Sequence, residues 1–185
     1  MNIDFAALRS GKVSYADLVQ GITHDDLRRF TDELFTNIQP ILANAKDADV
    51  SFIARDPEAK ESNEQGWSLS HVVAHFTATL EEAAAQAAML ARGVGVQERL
   101  RYEVPWDSIQ TVKQLQARLA ESQRMCNAFL AAWPDAPHMD VTVIRIPAFG
   151  PMNAIGAYAL GLGHAQSHLE QLREIMRQAE QAAHA

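Results

Sequence analysis

The chain is poor in cysteine, in glycine and proline, in basic charge, and in long apolar runs. Each shortage excludes something. Cys126 is the single cysteine, so no disulfide can close within the chain, and a reducing, cytoplasmic setting is expected over secretion. With 16 Lys and Arg against 23 Asp and Glu, the formal charge is −7. The basic residues are scattered and form no patch that could neutralise phosphates, which disfavours nucleic acid as a partner. The stretch Ala154 to Leu162 is the longest apolar run and falls far short of the about 20 residues that a spanning helix needs. The first residues lack a basic segment followed by an apolar one, so neither a secretory leader nor a membrane partner is expected. The 9 glycines and 7 prolines among 185 residues lie mostly between segments rich in Ala, Leu, Gln, Glu and Arg, a composition suited to helices.

The length fits one domain, residues 1–185, with residues 1–20 as an N-terminal helical extension. Its second turn is expected to open at Ser14, with Asp17 three residues later completing a capping box. The first long helix is expected from Thr23, whose hydroxyl caps free amides beside Asp25 and Asp26. Leu27, Phe30, Leu34 and Ile38 form its apolar stripe. Pro40 either kinks or ends this helix, unless it resumes through Ile41 and Leu42. Polar residues from Asp47 to Gly66 read as a long loop, with Val50, Phe52 and Ile53 available to anchor it. A second helix is predicted from Ser68 to a stop at Gly93, carrying Leu69, Val72, Val73, Phe76, Leu80, Ala83, Ala87 and Leu90 at helical spacing. The third is expected from Asp107 or Ser108 to Trp133, with Cys126 in its core face. Val141 to Ile146 is β-branched enough to be extended, but no partner strand is evident. Pro151 suits the first turn of a fourth helix through Ile155, Tyr158, Leu162, Leu169, Leu172 and Met176. The fold class is therefore all-α: a four-helix bundle with long crossover connections after the first and third helices, where facing helices build metal sites.

Seven histidines are present, and two pairs are spaced four apart on helices: His71 with His75, and His164 with His168. Such pairs point the same way, and neutral imidazole is a common ligand for divalent metals. Spacing alone would propose a four-histidine site. Phase argues against it, because at roughly 100° per residue His71 falls nearly opposite the apolar stripe, as a solvated residue would. His75 and His168 flank their stripes, whereas periodicity does not place His164. A core-edge imidazole bonded to a neighbouring helix accounts for these spacings as well as ligation does. His24, His138 and His184 are expected to be exposed. Val72 and Ala165 stand where a His-Glu-x-x-His protease helix needs glutamate, which leaves that reading without support.

The run Gly66-Trp-Ser-Leu-Ser-His-Val-Val-Ala-His75-Phe resembles the second-helix signature of the DinB-like family. His164-x-x-x-His168, followed by Leu169, Gln171 and Leu172, is similar to the fourth-helix motif of that family. The resemblance implies a four-helix bundle whose second and fourth helices supply a three-histidine metal site: His75, His164 and His168. His71 falls where the family has no ligand. Family members commonly form homodimers. Characterised ones include thiol-dependent S-transferases and a thiol-dependent isomerase that use mycothiol or bacillithiol. This chain departs from the consecutive histidines or His-Arg-Gly-Gln often found at the last ligand, having Gln-Ser-His168-Leu-Glu-Gln, with the ligand spacing intact.

Three neutral nitrogens leave a divalent ion, with zinc or nickel expected, its full charge and an open position, as in catalytic sites. That charge favours deprotonation of an incoming thiol or water. Glu82, Gln166 and Glu170 are candidates to orient the imidazoles. No general base is assigned. The expectation is a metal-dependent enzyme acting on a small-molecule substrate, an S-transferase with a low-molecular-weight thiol as cosubstrate. The alternatives are a non-catalytic stress-related or ligand-binding bundle with a vestigial site, and a metal-activated hydrolase.

Overall fold

Short polar side chains set where the helices begin. Ser14, Thr23, Ser68, Thr111 and Asn153 each accept a hydrogen bond from a backbone N–H three residues on, at 3.0–3.2 Å, filling amides that a helix start leaves open. The computed structural model describes residues 8, 12–55, 66–96, 98, 99 and 101–184. Its helices are α1 (Tyr15–Val19), α2 (His24–Leu42), α3 (Asp47–Val50), α4 (Leu69–Ala91), α5 (Val112–Ala131) and α6 (Ala154–Ala183). Asp17, Asp26 and Gln114 return the bond to their caps and complete capping boxes on α1, α2 and α5. The first expected turn of the N-terminal extension lies largely outside the described residues.

The four long helices form a ring in which α4 packs on α6 and α5, and α2 packs on the same two. Helices α2 and α4 therefore face each other across one diagonal, and α5 and α6 across the other. Two of the three links must cross the bundle, which is why residues 43–68 and 132–153 are long. Among the described residues no helix is long and apolar enough to cross a membrane.

Pro40 stays inside α2, which resumes for two residues. The carbonyl it leaves unpaired belongs to Thr36, on an exposed stretch where water can satisfy it. The loop after α2 contains the single turn α3, and its anchor is Val50, fully buried, with Phe52 packed beside it and Ile53 left 49% exposed. Gly66 has φ +106°, and a Cβ there would lie 1.8 Å from the Ala54 carbonyl oxygen. Only glycine lets the loop close this tightly, with Ala54 N–H donating to the Trp67 carbonyl.

Two predicted starts were early. Helix α5 begins at Val112, because Ser108 spends its hydroxyl on the Pro105 carbonyl at 2.6 Å and Thr111 with Gln114 caps the helix instead. Residues Trp106–Ser108 make one 3₁₀ turn. Pro151 precedes α6: Met152 exchanges two backbone hydrogen bonds with Val143, at 2.8 and 2.9 Å, and Asn153 then caps. That isolated bridge is the partner that Val141 to Ile146 lacked in the sequence.

Helices α4 and α6 run antiparallel and very close. A Cβ on Gly161 would come within 2.4 Å of that of Ala83, so the glycine permits the approach, one turn before His164. At the neighbouring contact of α2 with α6, Thr31 donates to the Leu27 carbonyl and bonds to the Tyr158 hydroxyl, both at 2.8 Å. Burial pushes the Cys126 thiol, which borders that pair, up to about 12. Cys126 is a buried core residue with no thiolate to offer near neutral pH.

Candidate metal centre

One face of α4 and one of α6 bring His75, His164 and His168 together. The His164 Nε2 lies 3.2 Å from that of His75 and 3.3 Å from that of His168, and one nitrogen from each residue lies within 4.8 Å of the others. An ion about 2.0–2.1 Å from each nitrogen, with tetrahedral angles, holds its ligands about 3.3–3.4 Å apart. The donor set and its spacing fit a divalent cation.

The protonation states fit as well. Burial lowers the His75 pKa to about 3, helped by His168, Arg101 and His164, and lowers that of His164 to about 4, helped by His168 and Arg101. Burial also lowers His168, against a hydrogen bond it donates to Gln171, which raises it. All three rings are neutral at pH 7, with lone pairs available.

The outer nitrogens of His168 and His75 are held by the protein. The Gln171 Oε1 lies 2.8 Å from His168 Nδ1. An amide oxygen only accepts, so Nδ1 carries the proton and the Nε2 lone pair faces its neighbours. His75 Nδ1 accepts from the Arg101 guanidinium at 3.0 Å, which puts its proton on Nε2. Ligation through Nε2 requires that proton on Nδ1, and Glu103, whose Oε2 stands 4.0 Å away and is paired with Arg101, is the acceptor in reach. Arg101 also donates to Thr79 Oγ1 at 2.8 Å.

These orienting groups were not the ones expected. The Glu82 carboxylate faces Arg99 and Arg145 at 2.7 and 3.1 Å, Glu170 pairs with Arg173 at the surface, and Gln166 makes no hydrogen bond to the histidines among the described residues. Gln171 was findable, because i and i+3 share a helix face. Arg101 and Glu103 come from a connector with no periodic signal.

His71 stands outside the cluster, and it is not the solvated residue that phase suggested. It is half-buried between two indoles, 4.3 Å from Trp67 and 5.1 Å from Trp106 by ring centroids, nearly parallel to both. Trp67 in turn meets His75 edge-on at 4.9 Å. His24 likewise stacks on Trp133 and bonds through Nε2 to the Leu130 carbonyl at 2.9 Å, whereas His138 and His184 are exposed as expected.

A cavity of about 320 Å³ opens beside the cluster, with His164 in its wall. Fold and site together define a helical-bundle protein with three converging imidazoles next to a small cavity. A DinB superfamily family model matches residues 17–172, and the chain belongs to that superfamily. No curated protein matches it. Among solved structures it is similar to YfiT from Bacillus subtilis, described as a probable metal-dependent hydrolase with an unusual four-helix bundle topology. The likeness has a TM-score of 0.60 and 13% identity, over 87% of this chain and 91% of that one.

Proposed function

We propose that the protein is a metal-dependent enzyme in which His75, His164 and His168 hold one divalent ion, zinc or nickel, and which transfers a low-molecular-weight thiol to a small electrophile. The observation that carries it is the convergence of three neutral Nε2 atoms beside an open cavity. A divalent ion held there supplies the charge that favours the deprotonated form of a bound thiol or water.

Thiol chemistry is the better match because the carboxylates near the centre are engaged. Glu82 is shared by two arginines and Glu103 by one, so neither is a free general base. A thiol, far more acidic than water, needs none. In the reaction the sulfur gives its proton to solvent and forms a bond to the electrophilic carbon, and the leaving group departs with its electron pair. Gln171 and Glu103 keep the imidazoles aimed, while Trp67 and Trp106 close one flank.

Hydrolysis is the second reading, favoured by the description of YfiT. Metal-loaded and metal-free protein incubated with cysteine, mycothiol or bacillithiol and a haloarene distinguish the two. Thioether formation that requires both metal and thiol supports the first. Turnover of an activated ester without thiol supports the second, and absence of metal-dependent turnover in every mixture removes both in favour of a ligand-binding bundle. A cytoplasmic homodimer belongs to the same proposal, and light scattering on the purified protein checks its mass.

A further inference from the structure

The cavity beside His164 has a charge pattern of its own. Its apolar wall is Ile144, Ile146 and Leu160, with Arg99 and Arg145 among the polar lining. Both guanidinium groups lean on one carboxylate, that of Glu82, whose side chain is wholly buried on α4. Two positive charges meet one negative charge, so a single positive charge is left over among the described lining residues.

The geometry leaves donors to spend. Arg145 reaches Glu82 through one terminal nitrogen and is only 18% exposed. Arg99 uses Nε and one terminal nitrogen at 3.1 and 2.7 Å, and each guanidinium carries five N–H donors in a planar fork. The buried glutamate fixes both forks before any ligand arrives, which lowers the ordering cost of binding. A volume of about 320 Å³ stands at the small end of ligand sites, about 300–1,000 Å³.

We infer that this cavity seats a small organic monocarboxylate, with the carboxylate on Arg99 and Arg145, a short hydrocarbon body against Ile144, Ile146 and Leu160, and the far end beside His164. A single excess charge suits a carboxylate better than a phosphate dianion, and the planar fork suits its two oxygens. The carboxylate subsite stands on the cavity alone. That the far end is where reaction occurs rests on the metal-centre reading above.

Hexanoate, hexanamide and hexyl phosphate serve as probes, titrated into the full-length protein while the methyl signals of Ile144 and Ile146 are followed by NMR. Hexanoate is expected to shift both and to bind about tenfold or more tightly than the amide, the scale of a charge-assisted bond. Arg145→Gln and Arg99→Gln should each remove that preference. Arg99 is 62% exposed, so its variant remains informative if the other fails to fold. Equal binding of acid and amide, tighter binding of the phosphate, an unchanged preference in the variants, or no binding of hexanoate overturns the inference. His168→Ala, a change in the histidine cluster outside the cavity wall, separates it from the proposed reaction. That variant should lose metal uptake and keep hexanoate binding, whereas metal-dependent turnover alongside equal binding of hexanoate and hexanamide would leave the enzyme reading standing and the carboxylate subsite refuted.

Discussion

Two polar residues on α4, His75 and Glu82, stand two turns apart and are satisfied in opposite ways. The Glu82 carboxylate is completely buried, and the chain itself supplies its countercharge from Arg99 and Arg145. Burial alone would raise its pKa, but the guanidinium groups outweigh it and hold the acid below its usual range. Around His75 the flanking charges, Arg101 and Glu103, are paired with each other, and neither is a countercharge held by the ring. Three imidazoles are kept neutral by burial and aim their Nε2 atoms at a common point. A polar group satisfied from within the chain fastens structure, as Glu82 fastens the segments holding Arg99 and Arg145 to α4. Groups left facing one another with spare lone pairs are built for something that arrives from outside.

The contrast is broken or sharpened by substitutions on each side. Glu82→Ala leaves Arg145 nearly buried without its partner. It should lower unfolding free energy by about 3 kcal/mol, at the low end for a broken buried pair because Arg99 can turn to water, while metal uptake persists. Urea denaturation and elemental analysis on the same sample read both. His75→Leu should do the reverse, losing metal while the metal-free protein unfolds within about 1 kcal/mol of wild type, because an apolar side chain replaces a desolvated imidazole. If Glu82→Ala lost the metal and His75→Leu lost the fold, the division of roles would be wrong.

Smaller effects test the supports. Gly161→Val forces a Cβ against Ala83 and should cost about 1–3 kcal/mol as overpacking, with weaker metal binding because α4 and α6 separate at His164. Glu103→Gln should weaken metal affinity by about 10–100-fold, the range for a lost partner of a ligand imidazole, with thermal stability little changed. Competition with a chelator measures it, and unaltered affinity would mean that Glu103 does not take the His75 proton.

The metal-free protein should also weaken in mild acid. The folded-state pKa values of His75 and His164, about 3 and about 4, lie below the ordinary 6.5. Between those limits the unfolded chain binds more protons, so unfolding free energy falls as pH drops from about 6.5 toward 4 and is insensitive to these groups above 6.5. Urea midpoints across pH 4–8 should show this slope, and His164→Ala should flatten it. An equal slope in the variant would place the effect elsewhere.

What the sequence disclosed follows from how local each cause is. Thr23, Ser68 and Gly93 mark helix ends through bonds to residues three or four away, so those boundaries were legible. Ser108 and Pro151 look like equally good start signals, but a hydroxyl diverted to Pro105 and a bridge from Met152 to Val143 overrode them. The three histidines could be grouped because each sits on a helix of evident phase or matches a family motif. Arg101 and Glu103 reach His75 from a connector, and the Glu82 pairs span 17 and 63 residues of chain, separations with no periodic signature. His71 was misjudged because phase treats everything outside the helix as solvent, and two tryptophans from outside it supplied the walls.

The central claim is that the three imidazoles share one ion. Elemental analysis of protein isolated without a histidine tag, wild type beside His168→Ala, tests it most directly. One divalent ion per chain in the wild type and none in the variant is the predicted result. A wild type that takes up no metal, or a variant that keeps it, would contradict the account.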